Sequence, residues 1–231
     1  MAAEPDSKHF VKVRTTLPAR PLPSNAERSV VTTERLILKP FSQDDFDEVR
    51  VMRTQPEVMR WTSIGRIDHG LEETQSKIDP FLPPLDVNTH EYVIRLKETG
   101  EFVGQGGCHR LESDFGWPEL GYMLKKEHWG KGYASEFVRA FIQEWSALPR
   151  VETELRVDSR TIPEGADVAE EQLFAVTEDA NARSQKVLRN SGFEYFLTWT
   201  AQNSHEGSPE GQMTDLPTFR FFPGRKQENS N

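Results

Sequence analysis

Two glycines separated by one lysine mark the segment whose chemistry is easiest to interpret. Gly130 and Gly132 lie between a strand-like segment that ends near Leu124 and the clearest amphipathic helix pattern, which begins at Ser135. Glycines at a strand–loop–helix junction let backbone N–H groups face inward, where the helix dipole also favours an anion. The segment therefore predicts a phosphate or pyrophosphate site held mainly by main-chain donors. A tight turn before a helix is the alternative interpretation.

The common nucleotide-binding motifs do not fit these glycines. The P-loop pattern GxxxxGK[ST] fails because Lys125 stands five residues before Gly130 and Gly132 follows Lys131. The dinucleotide pattern GxGxxG fails because Ser135 occupies its third glycine position. The phosphate ligand is therefore of another type. Three lysines supply positive charge around it, at positions 125, 126 and 131.

Cysteine and histidine offer little further chemistry. Cys108 is the only cysteine, so it cannot form an internal disulfide, and no His/Asn pattern accompanies it as a nucleophile. The six histidines are scattered without HExxH spacing. We therefore predict no metal site. His109 follows Cys108 on a strand that could border a cleft, either as a proton relay or as an ordinary packed histidine.

Composition excludes several classes of protein. The chain has 231 residues, and its 37 acidic against 28 basic residues give a net charge of −9. This balance disfavours a nucleic-acid binder and an anchor to anionic lipid. With 35% hydrophobic and 10% aromatic residues, the chain is too apolar to be fully disordered. It has neither a membrane-spanning apolar stretch nor a secretory signal, so we expect a cytoplasmic protein.

The periodicity of apolar residues places strands and helices around this loop. Strands are predicted at 36–39, 90–97, 102–110, 119–124, 153–157, 173–177, 193–201 and 218–222. Helices are predicted after the Ser42 cap and at 57–61, 70–84, 135–147 and 179–190. Residues 158–172 and 203–215 are predicted to be loops. Residues 1–29, rich in proline, are predicted to be a disordered or extended N-terminal tail, and residues 224–231 a C-terminal tail, around one domain over 30–223. This order favours an α+β fold with a mixed sheet.

Three motifs in order resemble one family. Trp129–Ala134 is similar to the acetyl-CoA loop of the GNAT N-acetyltransferase superfamily, whose pattern is Gln/Arg-x-x-Gly-x-Gly/Ala. Trp129 in the Gln/Arg place is typical of the branch that resembles ribosomal-protein N-terminal acetyltransferases. Thr33–Phe41 is similar to the opening strand of that branch, and Ala175–Phe193 is similar to its closing element. The resemblance covers residues from about 31 to 222.

The resemblance implies a fold and a cosubstrate. It implies a GNAT fold of class α+β, with a central, mostly antiparallel mixed sheet of about seven strands, splayed at the cofactor site and flanked by about four helices. It implies acetyl-CoA, with the pantetheine arm along Tyr122–Leu124, the pyrophosphate at Gly130–Ser135 and the CoA arm near Asn181. The expected cofactor-binding residues are Tyr122, Met123, Leu124, Trp129, Gly130, Lys131, Gly132, Tyr133, Ala134, Ser135 and Asn181.

The same resemblance suggests catalytic candidates. Glu119 lies near the place where relatives carry a general-base carboxylate, although a register shift of one residue would turn it to the other face, and a surface glutamate is the alternative. Many relatives have a tyrosine seven residues after the Asn as a proton donor, but this chain has Leu188 there. Ser184 could instead donate to the leaving sulfur, or simply pack its helix.

The resemblance implies that the acceptor binds between residues 42–84 and residues 203–215. The acidic residues of these segments favour a cationic acceptor, such as a basic peptide N-terminus or a small polyamine-like or amino-sugar molecule, unless they only solubilise the surface. We therefore predict an acetyl-CoA-dependent amine N-acetyltransferase, monomeric or homodimeric, without nucleic-acid or membrane partners. A non-catalytic acyl-CoA-binding sensor or scaffold and an unrelated fold are the alternatives. The acidic residues are Asp44, Asp45, Asp47, Glu48, Glu72, Glu73, Glu206, Glu210 and Asp215.

Overall fold

The computed structural model describes residues 9–225, which form ten strands and five α-helices. The strands are β1 (Phe10–Pro18), β2 (Val31–Thr32), β3 (Leu36–Pro40), β4 (His90–Leu96), β5 (Phe102–Arg110), β6 (Glu119–Leu124), β7 (Arg150–Asp158), β8 (Leu173–Val176), β9 (Glu194–Gln202) and β10 (Met213–Phe221). The helices are α1 (Phe46–Arg53), α2 (Pro56–Met59), α3 (Leu71–Ile78), α4 (Tyr133–Ala147) and α5 (Ala182–Asn190). Within this part of the chain, no helix has the length and apolar character needed to cross a membrane.

Eight strands form one open sheet in the order β2-β3-β4-β5-β6-β8-β10-β9. All neighbours in it are antiparallel except β6 and β8, which are parallel. The prediction of an α+β fold with a mixed, mostly antiparallel sheet is therefore confirmed, with eight strands in place of about seven and five helices in place of about four. The single parallel pair lies in the middle of the sheet, where the site is found.

Helices cover both faces of the sheet. On one face the apolar side of α4, with Phe137, Phe141 and Trp145 fully buried, packs in one core with residues of β3 to β6. On the other face α1 to α3 pack in a second core around Val93 and Phe102. Alternate residues of a strand point to opposite faces, so each strand contributes to both cores. This two-sided packing fixes β6 and the start of α4 relative to each other.

A separate two-stranded sheet includes part of the segment that was predicted to be a disordered or extended N-terminal tail. β1 pairs antiparallel with β7 over nine residues, and Val13 and Leu17 are buried in a third core with Trp117. Residues 10–18 are therefore a strand, because alternating apolar residues bury one face and Pro18 only ends the pairing. Residues 1–8 and 226–231 lie outside the described residues, so most of the predicted C-terminal tail does too.

The last strand also begins earlier than predicted. β10 starts at Met213, inside the segment 203–215 that was predicted to be a loop. It pairs with β9 over eight residues and with β8 over four. These non-local hydrogen bonds stabilise a strand that local composition does not reveal. The connecting loop is thus limited to residues 203–212.

Candidate functional site

The parallel strands β6 and β8 diverge at the centre of the sheet. They are paired only at Glu119 and Phe174, while β6 continues to Leu124 paired with β5 alone. Lys125 donates its N–H to Val103 on β5 at 2.9 Å. Because N–H groups alternate sides along an antiparallel strand, the N–H of Leu124 lies on the side away from β5. The end of β6 therefore presents backbone polar groups to the gap between the strands.

The loop after β6 turns through two glycines that need left-handed backbone angles. Gly130 has φ +75° and Gly132 has φ +83°, a region in which residues with a side chain are strained. Gly132 is the N-cap of α4, and no side chain caps that helix end. The first N–H groups of α4 have no partners within the helix and form a positive end. This turn therefore has the geometry predicted for an anion site.

An ion pair fixes the glycine turn to the sheet. Arg35, just before β3, contacts Glu136 at 2.7 Å, and its Nη1 donates to the carbonyl oxygen of Lys131 at 2.9 Å. Glu136 also accepts from the Thr33 hydroxyl at 2.6 Å. A Cβ placed on Gly132 would lie 3.3 Å from the Arg35 Nη2. The opening strand motif and the glycine motif thus meet in space.

A cleft of about 500 Å³ lies in front of this turn. We call it the glycine cleft; it is bounded by Tyr122–Leu124, by Trp129–Ser135 and by α5. It is lined by ten of the eleven predicted cofactor-binding residues, the exception being Lys131, which instead supplies its carbonyl oxygen to Arg35. The structure also adds Arg183, whose guanidinium lies 5.4 Å from the centre of the Trp129 ring.

Trp129 connects the turn to the end of β6. Its indole N–H donates to the carbonyl oxygen of Leu124 at 2.8 Å. This bond lies on the open side of β6, because Lys125 donates to β5 on the other. Trp129, which departs from the family pattern, therefore holds the glycine turn against the end of β6.

A second cavity of about 610 Å³, which we call the inner cavity, adjoins the glycine cleft. Residues of β4, β5, β6, β8, β9 and β10 line it, together with segments 61–64 and 203–205. The two spaces have lining residues in common: Trp61, Tyr122, Met123, Asn181 and Ser184. Two molecules, one in each space, would therefore meet at these residues.

Glu119 lines the inner cavity, so its side chain points to the cavity side of the sheet and not to the opposite face. Its carboxylate is 3.8 Å from the Nε2 of His109 and 3.6 Å from the Nη1 of Arg110. An irregularity in the β5–β6 pairing, between Cys108 and Arg110, accommodates His109 as an extra residue. The side chain of Glu119 is only 11% exposed.

His109 and Cys108 differ in what they can contribute. Loss of solvation, aided by nearby Arg110, lowers the pKa of His109 to about 4, so its imidazole is neutral at physiological pH. Burial raises the pKa of the Cys108 thiol, which donates to the carbonyl oxygen of Arg110 at 3.2 Å. A thiol held neutral in this way is a poor nucleophile.

A hydroxyl pair lies where the two spaces meet. The hydroxyl groups of Tyr122 and Ser184 are 2.8 Å apart, and burial raises the pKa of Tyr122 to about 12. Asn181 caps α5 by accepting from the Ser184 N–H at 3.2 Å. Leu188, which stands in the place of the family tyrosine, is 1% exposed and belongs to the main core. The sequence indicated Ser184 but gave no sign of its bond to Tyr122.

The two irregular segments predicted to flank an acceptor do meet over the inner cavity. Ser204 donates its hydroxyl to the carbonyl oxygen of Ser63 at 2.6 Å, and Glu206 donates its N–H to Ile64 at 2.9 Å. His205 lies 2.9 Å from Glu178 and packs against Gly65. Together these contacts close one side of the cavity.

The acidic residues that were predicted to attract a cationic acceptor do not line the inner cavity. Within the described residues, none of the nine acidic residues named in those segments lines the inner cavity. Glu73 and Glu206 contact Arg66, while Asp45 and Glu48 contact Arg95. Surface carboxylates at loops and helix ends find basic partners nearby, which sequence position alone does not show. The acidic groups that line the cavity are Glu91, Glu119 and Glu178.

The model of the acetyltransferase (GNAT) domain matches residues 35–194. The chain belongs to the GNAT acetyltransferase family. Among curated proteins it is 29% identical over 133 residues to the uncharacterized N-acetyltransferase p20 of Bacillus licheniformis, covering 57% of this chain and 74% of that protein. The residues matched by the family model include both the glycine turn and the diverging strands.

Solved structures show the same GNAT fold. A GNAT-family acetyltransferase from Bacillus anthracis superposes with a TM-score of 0.61 at 16% identity, over 85% of this chain and all of that one. RimL, described as a ribosomal L7/L12 alpha-N-protein acetyltransferase in complex with coenzyme A, superposes with a TM-score of 0.59 at 14% identity, over 84% of this chain and 98% of that one. At these identities the likeness concerns the fold alone.

Proposed function

We propose that this GNAT protein transfers an acetyl group from acetyl-CoA to a primary amine by direct attack. The observation that carries the proposal is the junction of the glycine cleft and the inner cavity at the open end of β6. One space has main-chain donors for a pyrophosphate, and the other has a buried carboxylate. Two substrates bound there would meet without an acyl-enzyme intermediate.

The glycine cleft would bind acetyl-CoA. Its pyrophosphate would accept hydrogen bonds from the N–H groups of Gly130–Ser135, at the positive end of α4. The pantetheine arm would extend the sheet along Tyr122–Leu124, where β6 has no partner on the side of β8. The acetyl group would then lie at the wall that both spaces have in common. That RimL binds coenzyme A on the same fold supports this placement.

The reaction needs a proton acceptor and a place for negative charge. The neutral amine attacks the thioester carbon, and the N–H of Leu124 would donate to the oxyanion. Glu119 would accept the proton that the amine loses, directly or through a water molecule. The carbon–sulfur bond then breaks, and the hydroxyl pair of Tyr122 and Ser184 would donate to the thiolate, in the role that Leu188 cannot perform.

A screen of amines tests the proposal. The purified full chain would be incubated with acetyl-CoA and a panel of peptides with free N-termini and small primary amines. We expect at least one acceptor to gain one acetyl group by mass spectrometry, with one CoA released per product. Binding of CoA without acetylation of any amine would contradict the proposal and favour a sensor or scaffold, which the missing family tyrosine also suggests. Thermal unfolding with CoA measures binding separately.

A further inference from the structure

The wall of the inner cavity that β4 and β5 form, which we call the deep wall, contains buried polar atoms that the proposed chemistry does not use. Glu91 on β4 is 4% exposed and Gln105 on β5 is 6% exposed, and both line the cavity. The Oε2 of Glu91 and the Oε1 of Gln105 have no hydrogen-bond partner among residues 9–225. Buried polar atoms are almost always hydrogen-bonded, so such a pair requires an explanation.

Register places the two side chains together on the cavity face. Glu91 is opposite Gly107 on β5, and Gln105 is two residues before Gly107, so both point to the same side of the sheet. A Cβ on Gly107 would lie only 2.4 Å from the Oε2 of Glu91. Glycine at this position therefore makes the space that the Glu91 carboxyl occupies.

A glycine on the neighbouring strand, β6, also leaves space for a polar side chain. Gly121 on β6 is opposite Gly107, and a Cβ on it would lie 2.9 Å from the Nδ1 of His109. The row from Glu91 through Gly107 to Gly121 spans two strand spacings, about 10 Å. This row extends from the deep wall to β6, the strand that carries Glu119, the proposed base.

The positive groups nearby do not neutralise Glu91. Arg28 attracts it, but the guanidinium donates its hydrogen bonds to backbone carbonyl oxygens, among them those of Asp86 and Glu91. Burial raises the pKa of the Glu91 carboxyl well above its usual range, even with Arg28 present. A cation bound at Glu91 would offset the cost of keeping the carboxylate charged.

The cationic side chains that line the cavity have partners elsewhere or lie at its rim. Arg53 forms a buried pair with Asp68 at 2.6 Å. Arg110 contacts Asp114 at 3.3 Å in addition to Glu119. Lys77 is exposed on α3. The deep wall therefore offers acceptor oxygens, and a group that binds there must donate hydrogen bonds.

We infer that Glu91 and Gln105 form a subsite for a second ammonium group of the acceptor, so that the preferred substrates are small diamines with about 10 Å between their nitrogens. This inference rests on the proposed function, because it assigns the far end of the acceptor whose near end is acetylated. An ammonium has three N–H donors, which matches the Glu91 carboxylate and the Gln105 amide oxygen.

Calorimetric binding to the CoA complex tests the subsite without requiring turnover. The full chain saturated with CoA would be titrated with α,ω-diamines of increasing length and with the n-alkylamine of equal length. We expect the longer diamines to bind more tightly than their monoamine partners. Glu91→Gln should reduce the ratio of diamine to monoamine affinity about ten- to a hundred-fold, because a charge-assisted hydrogen bond is replaced by a neutral contact.

Two further variants keep the test informative. Glu98→Gln makes the same chemical change at an exposed position of the β4–β5 turn and should leave the ratio unchanged. Gln105→Leu removes the second acceptor without touching Glu91, and it should reduce the ratio about two- to ten-fold. It tests the subsite even where Glu91→Gln unfolds the protein.

The outcomes separate the subsite from the proposed reaction. An affinity ratio near one in the wild type, or a ratio that neither Glu91→Gln nor Gln105→Leu changes, would overturn the subsite whether or not amines are acetylated. A ratio that depends on Glu91, with no acetylated product from any amine or peptide of the panel, would support the subsite and overturn the acetyl transfer.

Discussion

The glycine cleft is lined mainly by one continuous stretch, Tyr122–Ser135, and by α5, whereas the inner cavity is lined by residues from six strands and from several helices and loops. The cleft offers backbone N–H groups at a helix end, while the cavity offers the carboxylates of Glu91, Glu119 and Glu178. The first is suited to an anion that many proteins bind in the same way. The second is suited to a ligand that only this arrangement of side chains would select.

This difference separates a site set by the backbone from one set by side chains. Main-chain donors at Gly130–Ser135 depend on backbone angles, so side chains can vary around them with little effect on the proposed anion site. The inner cavity has no such protection, because its three carboxylates, Glu91, Glu119 and Glu178, are side chains on three separate segments. A single substitution there changes what the cavity can bind.

The largest expected effect is on the glycine cleft. Gly132→Asp would force a residue with a side chain to φ +83° and place a carboxylate at the proposed pyrophosphate position. Backbone strain of about 1–3 kcal/mol and like-charge repulsion of similar size should together weaken CoA binding about a thousand-fold. Isothermal calorimetry measures the affinity.

A matched control makes the same substitution, with a similar backbone strain, away from the glycine cleft. Gly165 also has a positive φ, +72°, but it lies on the exposed loop after β7 with nothing near its Cβ position. Gly165→Asp should leave CoA affinity within two-fold of the wild type. Equal affinity in Gly132→Asp and the wild type would show that the coenzyme binds elsewhere.

A smaller effect is expected at the border of the two regions. Glu119→Gln keeps the shape of the side chain but removes the proposed base, and it should lower turnover about a hundred-fold while CoA affinity stays the same. The loss should be greatest at low pH, where less of the amine is already neutral. Initial rates between about pH 6 and pH 9 measure this.

His109 provides the internal check on that profile. Its pKa, lowered to about 4, keeps the imidazole neutral over this whole range, so it cannot produce an inflection near pH 6.5. His109→Gln should therefore leave the shape of the profile unchanged. An inflection near 6.5 that disappears in His109→Gln would transfer the role of base from Glu119 to His109.

The fold and the glycine cleft were largely predictable because their signals are local. The glycine pair, the α4 periodicity and the Asn181 cap all involve residues close in sequence, and the structure brings ten of the eleven expected cofactor residues to one cleft. Local patterns of this kind report backbone geometry directly.

The inner cavity and β1 were not predictable because their determinants are non-local. In the sequence, Glu91 is one acidic residue within a predicted strand, and nothing near it indicates a binding role. Only the β4–β5 register shows that it lies opposite Gly107. The pairing of β1 with β7 joins segments more than a hundred residues apart. Proline-rich surroundings suggested a tail, although the alternation of Val11, Val13 and Leu17 was a strand signal that could have been used.

The smallest effect is expected at the hydroxyl pair of Tyr122 and Ser184, and it tests whether this pair takes part in turnover. Ser184→Ala removes the partner of the Tyr122 hydroxyl, 2.8 Å away, at the wall that the glycine cleft and the inner cavity have in common. If the pair donates to the leaving thiolate, turnover should fall only about two- to ten-fold, because the Tyr122 hydroxyl remains as a donor and only its neutral hydrogen bond with Ser184 is lost, with little change in the KM for acetyl-CoA. Ser76→Ala, an exposed serine in α3, is the matched control and should have no effect. An increase in KM with constant turnover would instead mean that Ser184 only shapes the cleft for the coenzyme.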